Sequence, residues 1–459
     1  MMTARKVLRG TAVLAAGVLC VSLTACPDWV NVTTPDIIAP GAVSNADGAI
    51  AQYNGAIGAF AFANDGDNGG TEGQILVSGT TADEYFDAET FPTRIEYDSR
   101  SITDANATLT AVFFNLAQAR VALEHSAAAL EQYAPTPDPR IGEMFALAGY
   151  TYVYFAENYA PCVPFDERLA DGSLQYGTPN NTTQMLTLAI ARFDSALAHS
   201  AGTTHADSVI RNLASVGKGR ALLDGGSSAL AAAAVAAVPT NFGNKLNFGY
   251  STVHSISTNR QYNGVFVFNN QAPLGTQRFS VADLEGGVGL NFRGAADPRV
   301  VAPQNLKGFD AISPLFVLQK YATNISPVPV ATGVEARLIQ AEAQGGGAMI
   351  VSLSTLRADA ANNGGFALGA LVDPGTAAGQ TSMLFRERAF WMFATGHRLG
   401  DLRRMVRQYS AQGFTVNTVY PNGAYFKGAP PTFGTSTELP VPFSEKNNPN
   451  FTGCAYDVP

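Results

Sequence analysis

Side chains able to do chemistry are thinly spread along this chain. The five histidines, His125, His199, His205, His254 and His397, form no HExxH pair and have no close cysteine partner. That spacing argues against the usual zinc centres. No GxSxG elbow or phosphate loop occurs, and Gly286-Gly287-Val288-Gly289 is a lone glycine cluster. Asp65-Gly66-Asp67-Asn68-Gly69-Gly70 offers spaced oxygens of the kind calcium takes. Gly69 and Leu76 fail the fifth and twelfth positions of an EF-hand loop, so a polar turn is expected there. Arg386, Glu387, Arg388, Arg398, Asp401, Arg403 and Arg404 look catalytic at first sight, but their helical spacing suits ion pairs between neighbouring helices. The 37 acidic residues give many pairs that glycoside hydrolysis could use, and spacing selects none of them. No catalytic residue, metal or cofactor is expected.

Binding chemistry is better represented. Flat aromatic faces beside Asn, Asp and Arg suit sugar rings, and they bring contact area at low entropy cost. The stretch ADEYFDAETFPTRIEYDSRS at 82–101 gathers such residues between the first two helices, and Tyr85, Arg94 and Tyr97 are its expected ligand contacts. The competing reading packs these aromatics onto the helical layer. A second candidate lies in a middle insertion, with Tyr250 and Tyr262 near Asn259, Arg260 and Asn263. Of the two tryptophans, Trp391 falls within a helix and reads as core, while Trp29 lies near the N-terminus. Any aromatic cradle must therefore be built from Tyr and Phe.

The elements that hold these residues are mostly helices. Asp138-Pro139 is a helix start. Beyond it Ile141, Met144, Phe145, Ala148, Tyr152, Phe155 and Tyr159 make one apolar face that ends before Pro161. Asn181-Thr182 caps another helix, with Leu186, Ala189, Ile190, Phe193 and Leu197 inward. Further helical patterns cover 46–63, 106–133, 207–223, 227–238, 332–344, 349–361, 381–394 and 399–409. The segment 241–329 is rich in Asn, Gly and aromatics and reads as loops with a few short strands, Val265 to Phe268 alternating as a strand would. Helices paired by short connections suggest tetratricopeptide-like hairpins, though the starts near 141 and 183 are spaced too widely for that repeat's period of about 34 residues. Only 14% of the 459 residues are charged against 46% hydrophobic, a balance that excludes disorder. The net charge of −8 argues against a nucleic-acid partner.

The first residues have the layout of a secretory signal. Arg5, Lys6 and Arg9 precede an apolar run, Thr11 to Leu23, too short to span a bilayer core of about 30 Å. Leu23-Thr24-Ala25-Cys26 resembles the bacterial lipobox, which makes residues 1–25 a signal peptide and Cys26 the lipidated first mature residue. Residues 26–41 read as a tether. Export permits a disulfide between Cys162 and Cys454; two buried free thiols are the alternative.

Several separated segments together resemble one family, the SusD/RagB-like outer-membrane nutrient-binding lipoproteins. They are FALAGYTYVYFAENYAPCVPF at 145–165, GAADPRV at 294–300, GVEARLIQAEAQ at 333–344, LFRERAFWMFATGHRLGDLRRM at 384–405 and LPVPFSEKNNPNF at 439–451. Ala394-Thr395-Gly396 departs from the family's acidic residue before the glycine. The resemblance implies a mainly α fold of tetratricopeptide-like hairpins over 42–459, with the loop-rich insertion 241–329 carried by the same domain. It also implies a lipid-anchored protein on the outer face of the outer membrane. Such a protein captures oligosaccharide, or in some members peptide, for a SusC-like TonB-dependent transporter barrel. A surface glycoside hydrolase and a helical-repeat protein-binding scaffold are the alternatives.

Overall fold

Helix starts lie where side chains can satisfy the first free amides. Asn106 accepts from Leu109 N (3.0 Å), Asp138 accepts from Arg140 N ahead of a helix whose first residue is Pro139, and Asn181 and Gln184 cap each other's amides. A computed structural model of the chain describes residues 44–67, 69–134, 137–169, 173–243, 249–255 and 262–454. Trp29 and Cys26, with the signal and tether expectations, lie outside them, as do Asn259 and Arg260.

The helices are α1 (Ala46–Asp65), α2 (Gln74–Thr81), α3 (Pro92–Asp98), α4 (Ala107–Tyr133), α5 (Pro139–Asn158), α6 (Thr182–His199), α7 (His205–Asp224) and α8 (Ser228–Ala234). They continue with α9 (Gly264–Asn269), α10 (Gly333–Gln344), α11 (Gly346–Ala358), α12 (Ala377–Trp391), α13 (Arg398–Tyr409) and α14 (Val416–Val419). The fold is mainly α, as expected. Helix α1 packs on α4, and from α4 to α8 each helix packs on the next, with α10, α11 and α12 following as a second stack. Close approach of α5, α6 and α7 depends on small residues: a Cβ at Gly217 of α7 would stand 2.3 Å from the Phe193 ring. Among the described residues, no helix is long and apolar enough to cross a membrane.

Strands are short and come in pairs. β1 (Tyr85–Asp87) pairs antiparallel with β7 (Phe279–Val281), which binds the stretch 82–101 to the middle insertion. Near the end of α5, β2 (Val163–Pro164) pairs with β5 (Pro179–Asn180) and β3 (Glu167–Arg168) with β4 (Leu174–Gln175). Within the insertion, β6 (Gly249–Thr252) pairs with β10 (Val328–Thr332), and β8 (Gln304–Lys307) with β9 (Pro314–Phe316).

Three local expectations are corrected. Val265 to Phe268 form helix α9 rather than a strand, with Asn263 accepting from Phe266 N (2.9 Å) as its cap. All four side chains are buried, so their alternation never distinguished two faces. Helix α2 was not expected; it is buried along its whole length and has no polar face to give a helical period. The stretch 82–101 is no plain loop, since α3 begins in it at Pro92.

The C-terminal segment is stitched across the helices. Arg403 donates to the carbonyls of Ala156 (3.0 Å), Glu157 (2.9 Å) and Tyr159 (3.2 Å), which covers orphan acceptors at the end of α5. Leu439 N donates to Asn158 O (2.7 Å), and Cys162 is disulfide-bonded to Cys454 with Cα atoms 4.7 Å apart.

Candidate ligand-binding site

The stretch 82–101 is an inward-facing belt. Tyr85 and Tyr97 expose 0% of their surface and Arg94 only 5%, so a ligand on this surface does not reach the three expected contacts. The Tyr85 ring packs 5.7 Å from Phe393, and Tyr97 OH donates to Glu72 Oε1 (3.2 Å). Arg94 pairs through Nε with Glu72 and through Nη1 with Glu89 (2.7 Å). Its guanidinium is held above the usual range because those carboxylates outweigh burial. Tyr250 is also taken internally: it and Tyr53 each donate to one oxygen of Glu143 (2.6 Å both), and Tyr262 packs half-buried against the core. Asn263 is spent on capping α9. For Tyr97 and Tyr250 the cause is a partner far away in sequence, Glu72 and Glu143.

What the same stretch does expose is Phe91, just ahead of α3 (44% exposed). Its ring lies roughly parallel to Phe309 (centroids 6.5 Å apart, planes at 29°), and Phe309 is 52% exposed at the tip of the β8–β9 hairpin. The Arg278 guanidinium stands 5.5 Å from the Phe91 centroid and 5.6 Å from that of Phe309. Arg94 underlies Phe91 at 5.3 Å, so it positions the ring from the interior. Arg278 is anchored by Gly69 O (3.0 Å) and faces Glu89 Oε2 (3.5 Å).

The hairpin tip is fixed by its backbone. Phe309 N donates to Gln277 O (2.9 Å) and Asp310 N to Ala88 O (3.0 Å). A Cβ at Gly308 would meet Ala88 O at 2.5 Å, so only glycine allows this approach. Asp310 accepts from Ile312 N (2.9 Å) and Ser313 N (2.8 Å), bonds that hold its carboxyl below the ordinary range despite burial. A third exposed ring, Phe426, packs edge-on against Phe86 (5.2 Å); its neighbour Lys427 bonds Asp87 and reaches Asp310 (3.7 Å). The result is an aromatic platform with a cation beside two phenyl rings. Sequence reasoning named the stretch that carries Phe91 but did not name Arg278, Phe309 or Phe426. Phe309 left one trace, an aromatic in a Gly-Phe-Asp turn.

The residues that looked catalytic have structural roles. Arg388 pairs with Asp401 (2.9 Å), Arg404 with Asp401 (3.0 Å) and Glu342 (2.6 Å), and Arg398 with Asp83 (2.5 Å). Glu387 receives both Arg299 and Arg357 at 2.7 Å. His397 is buried between Arg220 and Glu335, and its pKa is lowered by burial and then by Arg220. Asp87 and Asp98 are pushed up to about 8 by burial and then by neighbouring carboxylates, but neither reaches solvent. In the 65–70 turn, Asp67 accepts from the amides of Gly69, Gly70 and Thr71. Among the described residues, no group of three potential ligands could hold a metal.

No family model matches the chain, and no curated protein matches it. Solved structures do match. A laminarin binding SusD-like protein superposes with TM-score 0.65 at 14% identity, over 90% of this chain and 99% of that one. A SusD superfamily protein from Bacteroides fragilis gives 0.63 at 15%, over 89% and 99%. The chain has the SusD-like fold. A SusD-like carbohydrate binding protein from Bacteroides fragilis NCTC 9343 agrees, with TM-score 0.62 at 14% identity over 89% and 99%. The segments that carried the resemblance are the ones that hold this SusD-like fold together. Arg299 of GAADPRV grips Asp297 and Glu387, and the block at 384–405 supplies the ion pairs of α12 and α13. In the closing segment, Asn448 donates to Asp166 (2.9 Å).

Proposed function

We propose that this chain is a non-catalytic receptor that captures oligosaccharide and passes it to a SusC-like TonB-dependent barrel. In this reading it is held at the outer face of the outer membrane by lipid on Cys26. The observation that carries the proposal is the platform: two exposed phenyl rings beside Arg278, on a fold shared with one protein described as laminarin binding and another described as carbohydrate binding. Phenyl faces cover the C–H side of a pyranose, and a guanidinium donates to its hydroxyls. The anchor rests on the lipobox-like leader, and the absence of a catalytic role on the internal use of the candidate acids and arginines.

Titration calorimetry of the mature chain against neutral oligosaccharides and short peptides tests the proposal. Saturable binding of at least one oligosaccharide, lost in a Phe91→Ala/Phe309→Ala double variant, is expected. Binding of peptides alone would replace the substrate class, and turnover of any bound glycan would overturn the receptor reading.

A further inference from the structure

A cavity of about 520 Å³ lies between the end of α12, the loop at 363–366 and the segment leading into β10, and none of the platform rings lines it. Its size lies in the range of small-molecule sites, about 300–1,000 Å³. Trp391, Phe390 and Phe366 give it an aromatic wall, Trp391 meeting Phe366 edge-on at 5.9 Å, and Pro327 and Pro329 stand among the other lining residues.

The polar groups on this wall are mostly spent. Arg299 bonds Asp297 and Glu387 with all three of its nitrogens. Asn363 donates to Leu356 O and Phe366 O and accepts from Phe366 N. Thr395 Oγ1 donates to Met392 O (2.6 Å), and Gln319 Nε2 to Val317 O (3.0 Å). Lys320 is different. Much of the residue is exposed, its ammonium donates to Phe393 O (2.6 Å), and it makes no close ion pair among the described residues, the buried carboxyl of Glu84 being the acidic group that acts on it. Protein packed around that ammonium lowers its pKa to about 8, which leaves it mostly charged at neutral pH.

A saccharide would lose the hydrogen bonds its hydroxyls make in water and find few partners here. A flat apolar body with one negative group matches both the wall and the one lining cation that makes no close ion pair. We infer that this cavity is a second binding site, separate from the platform, for a compact ring compound carrying one acidic group. The inference does not depend on what the platform binds.

The chain has two tryptophans, so a Trp29→Phe variant leaves Trp391 as the sole indole and its fluorescence reports on the cavity wall. The probes are 1-anilinonaphthalene-8-sulfonate, which carries one sulfonate, and N-phenyl-1-naphthylamine, its uncharged counterpart. Saturable one-to-one binding of both, with quenching of Trp391, is expected. Lys320→Met should weaken the sulfonate about tenfold, the scale of one charge-assisted contact, and change the neutral probe less than about twofold. Ala322→Phe, at an exposed lining position and without a second indole, should weaken both at least about tenfold by occupying the space. Thermal melts confirm that each variant is folded, and Lys320→Met decides the matter alone if Ala322→Phe does not fold. Binding that is unsaturable, or that neither substitution alters, would overturn the inference.

Discussion

Replacing Phe309 with alanine removes one exposed phenyl face of the platform and leaves the core untouched. An aromatic side chain contributes about 150–250 Å² when fully covered. Phe309 is 52% exposed, so roughly 100 Å² of it remains for a ligand to cover. At about 25 cal/mol per Å² this amounts to ~2.5 kcal/mol against a wholly apolar partner. A pyranose face is only about half C–H, which brings the loss near 1.2 kcal/mol, or a Kd about tenfold weaker. Calorimetry with the tightest-binding oligosaccharide gives the number, and a thermal melt of the variant checks that stability is unchanged within about 0.5 kcal/mol, as for other exposed positions. Phe91→Ala should behave alike, because its 44% exposure leaves a similar area. Oligosaccharide affinity unchanged in both variants, with both folded, would refute the reasoning that places ligand on these rings.

Other outcomes follow from the buried charges and the crosslink. Glu387→Ala should destabilise the chain by about 3–5 kcal/mol in denaturant titrations, because it takes the carboxylate from largely buried Arg357 and one of two from buried Arg299. The paired change Arg299→Met/Glu387→Leu should recover little of that loss in the same assay, because it leaves Asp297 and Arg357 without these partners. Asp87 and Asp98, raised from 3.8 to about 8, retain protons in the folded chain that the unfolded chain releases above about pH 4. Their contribution is therefore fully present below about pH 4 and is lost as pH rises toward 8, so urea midpoints should fall from pH 5 to pH 8.5. The fall should be shallower in Asp98→Asn. Cys454→Ser opens a link that closes 292 residues of sequence and should lower stability by about 2–4 kcal/mol, and a reducing agent should then have no further effect on its denaturation midpoint.

Helices were legible wherever an amphipathic face and a capping side chain coincided, as at Asp138-Pro139 and Asn181-Thr182. Helices α2 and α9 were not, because every side chain in them is buried and periodicity reports a boundary between core and water. The arginine-rich block was legible as ion pairs because helical spacing places those charges side by side. At the candidate site, the stretch 82–101 stood out by composition, but which of its aromatics face outward was not legible. Tyr97 is turned inward by Glu72, which lies 25 residues earlier, and Asp87 is held by Lys427, which lies 340 residues later. Arg278 and Phe309 join Phe91 only through the β1–β7 pairing and the hairpin tip docked on Ala88, contacts no local pattern encodes.

Hydroxyl-radical footprinting of the full mature chain, with and without a saturating oligosaccharide, tests the central claim most directly. Phe91 and Phe309 should be oxidised readily in the free protein and protected on binding, while exposed rings elsewhere, such as Phe443, keep their reactivity. Saturating oligosaccharide that leaves Phe91 and Phe309 as reactive as before would contradict it.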